Sequence, residues 1–329
     1  MQVFVRHLAY FLIIQGCIWG GVLALYRQYK AARFEGTGGE YLAVSIDKHH
    51  LLLQQPSRRI VFVGGSNLAF GLNSAEIERA LGYHPINMGL DAGLGLDFML
   101  QEVEPFLKPG DVVVLSPEYE HFIDWYRGDI ETLFAEIENQ PRSIRFLTFR
   151  NLALFLDQGL VVIGNITRKS ISFLNGGVHV TREQLQNSPY RPSGFNRFGD
   201  VIAHYHLAPK AFLVTKLKQP TPTSISQVIN RLNKFNKRCR RNAILVFYSY
   251  PPIFQGQLQE NAAIIHEIAV NLSQRLNFPL LDTPEEMSFP LDYFFDLAYH
   301  LNVIGIQIRT GHLIEKLRDW LPEPSSDHV

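Results

Sequence analysis

The sequence predicts an α/β fold in which an open parallel sheet is covered by helices on both faces. Short segments that are apolar throughout, rather than alternating with polar residues, recur along the chain. This pattern is typical of strands that are buried on both faces. Segments with a helical period separate them, and such interleaving indicates right-handed βαβ units. At 329 residues the chain is long enough to bury a sizeable core.

Five strands and four helices follow from these patterns. We expect strands at 60–63, 85–90, 111–115, 243–248 and 279–282, with helices near 74–82, 95–107, 258–276 and 302–320. In an open parallel sheet, ligands bind beyond the carboxyl ends of the strands. Ser66, the loop after residue 90 and the segment after residue 115 would all lie at that edge.

The N-terminal segment has the length and composition of a membrane span. Residues 8–26 contain no charged side chain. As a helix that rises about 1.5 Å per residue, they nearly match the roughly 30 Å hydrocarbon core. We therefore expect a retained signal anchor at 8–26, preceded by a tail at 1–7. Basic residues are more frequent after the span than before it, which by the positive-inside rule favours a cytoplasmic body.

The rest of the chain divides into a stalk, one domain and a short tail. Residues 27–57 are polar and contain glycine, which suggests a stalk, and residues 58–320 carry the α/β pattern. Within them, residues 141–225 show no sustained period, and we interpret them as an insertion that forms a cap or side wall over the strand ends. Residues 321–329 are predicted to be a frayed tail.

Composition and spacing exclude several classes of function. Acidic and basic residues number 31 each, and Lys and Arg do not cluster with aromatic residues, so we expect no nucleic-acid partner.

The two cysteines, Cys17 and Cys239, exclude a disulfide framework and a cysteine-based metal site. Asp200, His204 and His206 match no zinc spacing. The motif "GLDAGLG" lacks G-x-G-x-x-G and argues against a dinucleotide. We therefore predict neither a metal nor a cofactor.

Ser66 is the first candidate for chemistry. It follows an apolar run in "VFVGGSN", where Gly64 and Gly65 permit a tight turn. A serine at this place can simply cap a helix. However, Ser74 precedes the next helical pattern and can cap that helix, which leaves Ser66 available as a nucleophile.

The second candidate pair lies in "FFDLAYHLNVIG", near the C-terminus. Asp296 and His300 are four residues apart, so one turn of chain could bring the carboxylate to the imidazole. A carboxylate on one ring nitrogen fixes the tautomer, and the other nitrogen can then accept a proton from a serine. Asp292 is an alternative partner for His300.

Taken in order, four motifs resemble the SGNH or GDSL hydrolase superfamily: "GGSN", "NMGLDAG", "SPEYEHF" and D-x-x-x-H-L-N-x-x-G. The likeness is greater to the membrane-anchored, envelope-associated branch that includes polysaccharide O-acetyltransferases and acetylesterases. It covers roughly residues 58–125 and 242–320. The resemblance implies a flavodoxin-like sheet in a three-layer α/β/α arrangement.

The resemblance also implies roles for individual residues. Ser66 would be the nucleophile, His300 the general base and Asp296 its orienting acid. The oxyanion hole would use the Ser66 N–H and a glycine N–H, for which Gly89 and Gly93 are both candidates. The family also uses an asparagine from the third motif, and "SPEYEHF" has none. Side chains that could line the pocket instead are Asn67, Glu118 and Tyr119.

Two classes of function remain open. The first is a serine esterase or O-acyltransferase that acts, at a membrane, on acyl esters of an envelope glycan. We expect its body on the extracytoplasmic side, because the resembling branch works there, against the positive-inside signal of the N-terminal segment. A lipid esterase is a variant of this hypothesis. The second is a catalytically silent relative that binds or assembles components of an envelope polysaccharide system, which the missing asparagine favours.

Overall fold

The computed structural model describes residues 39–54, 58–174 and 188–321, together with scattered positions between 6 and 24. Most of the expected span at 8–26, the first part of the expected stalk and most of the expected tail lie outside these residues. No helix within the described part of the chain is long and apolar enough to cross a membrane.

A four-stranded parallel sheet forms the centre of the domain. Its strands are β1 (Arg59–Gly64), β2 (His84–Asn87), β3 (Val112–Ser116) and β4 (Leu245–Tyr248), in the order β2-β1-β3-β4. All three pairings are parallel, as the sequence predicts. The fifth expected strand is reduced to one parallel bridge between Tyr248 and Leu280. A separate two-stranded parallel ladder joins β5 (Ile253–Phe254) to β6 (Ser288–Phe289).

Eleven helices with defined bounds surround the sheet in the described residues. They are α1 (Gly39–Leu42), α2 (Ser45–Gln54), α3 (Ser66–Ala69), α4 (Ser74–Leu81), α5 (Leu96–Val103), α6 (Ile130–Asn139), α7 (Phe149–Leu174), α8 (Pro222–Arg241), α9 (Gln255–Glu260), α10 (Ala262–Arg275) and α11 (Val303–Arg318). Short 3₁₀ turns occur at Ala92–Leu94, Glu104–Phe106, Tyr119–Phe122, Trp125–Arg127, Pro141–Phe146, Pro192–Gly194 and Leu291–Tyr293.

The strands are apolar throughout because each face of the sheet packs against helices. Val61 and Val113 belong to the larger core cluster, which α5, α8 and α10 complete. Their neighbours Ile60 and Val112 point to the opposite face, where α4 and α11 cover them. Successive side chains of a strand alternate between faces, so two covered faces require a continuous apolar run. The expected α/β architecture is thus present.

The expected stalk differs from the structure between residues 39 and 54. These residues form α1 and α2, and Tyr41 and Leu52 are buried in the larger core cluster. The ammonium group of Lys48 donates to the carbonyl oxygens of Asn87 and Gly199, both at 2.7 Å. Polar composition alone did not show that this segment has a buried face.

Part of the expected insertion packs over the carboxyl ends of β1 and β2. The buried carboxylate of Asp200 accepts hydrogen bonds from Ser74 Oγ at 2.6 Å, Asn87 Nδ2 at 2.8 Å and Asn196 Nδ2 at 3.0 Å. In addition, the Val201 N–H donates to the carbonyl of Ala69 at 2.8 Å. Buried hydrogen bonds to a charged group are among the stronger ones. They hold residues 188–207 against the edge where ligands are expected.

Candidate active site

The turn after β1 allows a very close approach of neighbouring backbone. A Cβ atom on Gly64 would lie 2.3 Å from the Ser116 carbonyl oxygen, and one on Gly65 would lie 2.4 Å from Glu118 Oε1. No other residue type fits at these two positions without a shift of the surroundings. The turn places Ser66 at the first position of α3, at the carboxyl end of the sheet.

Ser66 does not act as a helix cap, although the reason differs from the one expected. The N-cap of α4 is Asn73, whose side chain accepts from the Glu76 N–H at 3.2 Å. The hydroxyl of Ser74 is used elsewhere, as a donor to Asp200. The expectation that Ser74 caps α4 was therefore wrong.

The hydroxyl of Ser66 belongs to a continuous chain of hydrogen bonds. Its Oγ lies 2.8 Å from Nε2 of His300, and Nδ1 of the same ring lies 2.8 Å from Oδ1 of Asp296. Both contacts fall within the range of about 2.6–3.2 Å at which a proton can be transferred. The structure thus brings together three residues from opposite ends of the domain.

A tight loop explains how Asp296 reaches His300. Phe294 and Leu301 form an antiparallel bridge, and the Phe295 N–H donates to the carbonyl of His300 at 2.8 Å. The chain therefore folds back on itself, and the side chains at positions 296 and 300 meet on one side. The alternative partner, Asp292, is exposed, and its carbonyl accepts from Asn302.

Tyr190 is an additional member of this group that the sequence did not indicate. Its hydroxyl donates to Oδ2 of Asp296 at 2.7 Å and lies 3.2 Å from Nδ1 of His300. Burial alone would raise the pKa of Asp296, but the hydrogen bond and charge of His300, together with the Tyr190 hydroxyl, outweigh burial and lower this pKa. Asp296 is accordingly ionised at neutral pH and can stabilise an imidazolium.

The two glycine amides that were expected to form the oxyanion hole are already engaged. The Gly89 N–H donates to Oδ1 of Asn87 at 2.9 Å, and the Gly93 N–H donates to Oδ1 of Asp91 at 2.7 Å. By contrast, the N–H groups of Ser66 and Ala92 have no acceptor among the described residues. Ala92 lies close by, since its Cα would be 2.8 Å from a Cβ on Gly65. These two amides are the better-placed donors.

Glu118, in the loop after β3, contacts the turn that carries Ser66. Its Oε1 accepts from the Asn67 N–H at 3.1 Å, and its Oε2 accepts from the Gly65 N–H at 3.2 Å. One buried carboxylate therefore binds the amides on both sides of Ser66. This side chain is an acceptor that fixes the turn and does not supply a hydrogen-bond donor to the pocket.

The imidazole ring of His121 lies beside the carboxylate of Glu118. Its Nδ1 lies 3.1 Å from the Glu118 carbonyl oxygen and 3.5 Å from Oε2 of the same residue, while its Nε2 lies 3.0 Å from the carbonyl oxygen of Ala92. The ring connects the loop after β3 to the loop that carries Ala92.

Asn67 and Tyr119, both expected to line the pocket, lie beneath it. Both are fully buried. Asn67 Nδ2 donates to the Ser116 carbonyl at 2.8 Å, and its Oδ1 accepts from Arg309 at 3.0 Å. Burial lowers the pKa of Arg309 to about 10. Asn67 and Arg309 thereby support the turn that carries Ser66, since Arg309 also donates to the carbonyl oxygen of Asn67 at 2.7 Å.

Asp91 is a further titratable group at the edge of the site. It begins the 3₁₀ turn at Ala92–Leu94. Burial raises the pKa of Asp91, and the charges of Asp129 and Glu118 act in the same direction, against the hydrogen bond from Gly93. Asp91 lies within the motif "NMGLDAG", but the sequence analysis singled out only the glycines of that motif as site candidates.

The described residues contain no group of three or more potential ligands arranged for a metal ion. Asp200 is bound in the buried network under residues 188–207, and Nε2 of His204 lies 2.9 Å from the Leu301 carbonyl. Burial lowers the pKa of His204 to about 4.

Comparison with known proteins adds no assignment, since no protein-family model and no curated protein matches the chain. The function of the protein is therefore inferred from its residues and their geometry.

Proposed function

We propose that this protein is a serine esterase or O-acyltransferase that uses Ser66 as nucleophile. The observation that carries the proposal is the hydrogen-bonded series from Ser66 Oγ through the two nitrogens of His300 to Asp296. A serine, an imidazole and a carboxylate in this order, with these contacts, have the geometry of a catalytic triad. The SGNH superfamily and its flavodoxin-like α/β/α fold remain the family assignment that we propose.

The reaction would begin with attack of Ser66 Oγ on the carbonyl carbon of an acyl ester, while Nε2 of His300 takes the hydroxyl proton. The charge on Asp296 stabilises the imidazolium that forms. The developing oxyanion would accept from the N–H groups of Ser66 and Ala92. Collapse of the tetrahedral intermediate breaks the ester bond, and His300 returns the proton to the leaving alcohol.

The second half of the reaction determines whether the enzyme hydrolyses or transfers. The acyl-enzyme on Ser66 would be attacked by water or by a sugar hydroxyl, again with His300 as the base. We propose an envelope glycan as the substrate and an extracytoplasmic body at the membrane, anchored through residues 8–26. These parts of the proposal are supported by the sequence resemblance and the apolar N-terminal segment.

A catalytically silent relative is the second candidate, and one observation favours it. Glu118 places a carboxylate beside the nucleophile turn, where the resembling family has an amide donor. A negative charge at that position would repel an oxyanion. Against this, both oxygens of Glu118 accept from the N–H groups of Gly65 and Asn67, and these hydrogen bonds partly offset the negative charge.

A fluorophosphonate probe tests the proposal directly, because such probes react with activated serines. We expect the full chain to be labelled, and Ser66→Ala or His300→Ala to abolish labelling. Ser273→Ala and His266→Ala, at exposed positions of α10, are matched controls that should label normally. A well-folded wild-type protein that stays unlabelled would favour the silent candidate.

A further inference from the structure

An open groove lies beside the candidate active site, on the surface formed by the Trp125–Arg127 turn, α7 and the start of α8. Its volume is about 610 Å³, within the range of roughly 300–1,000 Å³ that is typical of small-molecule sites. Trp125 lines it and is 43% exposed. A tryptophan left this accessible in a concave site offers a flat apolar face to a ligand.

Apart from apolar side chains such as Ile123 and Leu154, the lining carries charged groups whose charges cancel. Two carboxylates, Asp124 and Asp129, face two cations, Arg127 and Lys218. Lys218 Nζ lies 3.3 Å from Asp124, and Nε of Arg127 donates to the hydroxyl of Tyr126 at 2.9 Å. With its charges balanced, the groove lacks the excess of cations that a phosphate or a polyanion requires.

Uncharged donors and acceptors are available between these groups. Gln158, which is exposed, and Gln227, which is half-buried, line the groove. Thr223, also in the lining, is exposed. Amides and hydroxyls both donate and accept, as the hydroxyl groups of a sugar do. An apolar face beside such groups suits a pyranose ring, which has C–H groups on its faces and hydroxyls at its edge.

One short loop separates this groove from Ser66. On the groove side, the Asp129 N–H donates to the Gly93 carbonyl at 2.7 Å, and a Cβ on Gly95 would come within 2.0 Å of the Gly128 nitrogen. On the other side of the loop, Ala92 packs against Gly65. The loop that contains residues 92–95 therefore contacts both the wall of the groove and the turn that carries Ser66.

We propose that this groove binds an uncharged oligosaccharide, with one ring stacked on Trp125 and its hydroxyls bonded to Gln158 and Gln227. The inference rests on the proposed function in one respect, since the bound sugar would carry, or receive, the acyl group that Ser66 handles. It narrows the substrate class to neutral glycans and places them on a defined surface.

Binding measurements on the full chain carrying Ser66→Ala test the groove separately from the chemistry. The probes are cellohexaose, maltohexaose, laminarihexaose and chitohexaose, with hexagalacturonate as the anionic comparison, each titrated calorimetrically. We expect at least one neutral hexasaccharide to bind. Trp125→Ala should weaken that binding about tenfold or more, and Gln158→Ala combined with Gln227→Ala should weaken it further.

Trp320→Ala is the matched control, because Trp320 is 52% exposed and stands against Phe247, outside the groove lining. This variant should bind the same sugar with unchanged affinity. The inference is overturned if no neutral probe binds at millimolar concentration, if Trp125→Ala binds as tightly as its parent, or if hexagalacturonate binds more tightly than every neutral probe. Sugar binding without fluorophosphonate labelling of the wild type would leave the groove assignment standing and remove the esterase.

Discussion

The ring of Phe70 stacks on the imidazole of His300, with centroids 4.1 Å apart and an angle of 6° between the planes. Phe70 is fully buried, just after the short helix that begins with Ser66. The stack holds the imidazole in the plane that allows it to contact both Ser66 and Asp296. An aromatic face also attracts a cation, so it favours the imidazolium that forms during the proposed reaction.

Phe70→Leu should therefore reduce activity more than it reduces stability. Without the stack the imidazole gains freedom to turn, and a small misplacement of a catalytic group costs much of the rate. We expect kcat/KM for an activated ester to fall by about tenfold to a hundredfold. The cost in unfolding free energy should be about 1–2 kcal/mol, as for other volume-reducing changes in a core.

Phe247→Leu is the control for that experiment. Phe247 is also buried, but it belongs to the cluster on the opposite face of the sheet. Phe247→Leu should lose a similar amount of stability in a thermal melt, while its kcat/KM stays the same as that of the wild type. Equal losses of activity in the two variants would show that Phe70 acts only through core packing.

Tyr190→Phe should lower the turnover number while leaving the fold intact. The variant removes the hydrogen bond at 2.7 Å that stabilises the charge on Asp296, so the pKa of Asp296 should move back upward. We expect kcat to fall by about threefold to thirtyfold. Asp296→Asn should cost far more, on the order of ten thousandfold, because it removes the orienting carboxylate.

The pH profile separates this role of Tyr190 from a purely structural one. Because Asp296 is protonated more easily in the variant, the loss of activity that follows its protonation, at the far acid end of the profile, should begin at a higher pH. Tyr83→Phe, a buried tyrosine just before β2 at the opposite edge of the sheet, should change neither kcat nor the profile. An unshifted acid limb in Tyr190→Phe would contradict the proposed contact with Asp296.

Glu118→Gln should damage the nucleophile turn. A carboxylate can accept from both the Gly65 and the Asn67 amides, whereas the amide group of Gln has one acceptor and would set its NH₂ against the other N–H. Because these amides lie on either side of Ser66, we expect kcat/KM to fall by about tenfold to a hundredfold. Fluorophosphonate labelling should slow by a similar factor.

Glu102→Gln provides a matched comparison, since Glu102 is a buried glutamate paired with a histidine, at 2.7 Å from His49. It should destabilise the protein without slowing the reaction with the probe. If Glu118→Gln labels at the wild-type rate, the carboxylate is not needed to position Ser66.

The parts of the site that the sequence predicted are those fixed by local pattern. Ser66 follows an apolar run and two glycines, and Asp296 and His300 lie within one short motif. Since parallel strands place their carboxyl ends at one edge, the order of these motifs along the chain was enough to suggest their proximity. Their catalytic roles remain a prediction.

The parts that sequence reasoning missed depend on packing between distant segments. Tyr190 reaches Asp296 because Asp200, ten residues later, holds its segment on the sheet edge through Ser74 and Asn87. No period was recognised in residues 141–225, although Phe149–Leu174 forms α7, and nothing indicated which side chains of the segment would face the site. The two glycine amides were misjudged for a related reason, because their acceptors are side chains whose orientation the sequence does not reveal.

Glu118 shows a different limit of prediction from sequence. The sequence showed that the third motif lacks an asparagine, and it therefore left the silent relative open. Whether a carboxylate there is harmful depends on what it contacts, and its contacts with two backbone amides and with His121 exist only in the fold.

The pH dependence of stability offers a test that is independent of any substrate. Glu136 is fully buried in α6 and accepts from Ser143 Oγ at 2.8 Å. Burial, and to a lesser degree the charge of Glu102, raises the pKa of Glu136 to about 7. The folded protein therefore binds a proton that the unfolded chain releases at lower pH.

The sign follows from this difference in bound protons. The contribution of Glu136 to stability is complete below its unfolded pKa, and it is lost as the pH rises through the folded pKa of about 7. At about 1.36 kcal/mol per pKa unit, the loss is on the order of 3 kcal/mol for this buried group. Glu136→Gln removes the titration but keeps an acceptor for Ser143, so it should be more stable than the wild type at pH 8 and similar to it near pH 5.

Urea unfolding of the wild type and of Glu136→Gln, measured from pH 4.5 to pH 8, checks this expectation. The difference in unfolding free energy should grow steadily across that window and then level off. Glu260→Gln, at an exposed position in α9, should differ from the wild type by the same small amount at every pH. A difference for Glu136→Gln that does not change with pH would mean that Glu136 is ionised in the folded state throughout, and that burial does not raise its pKa.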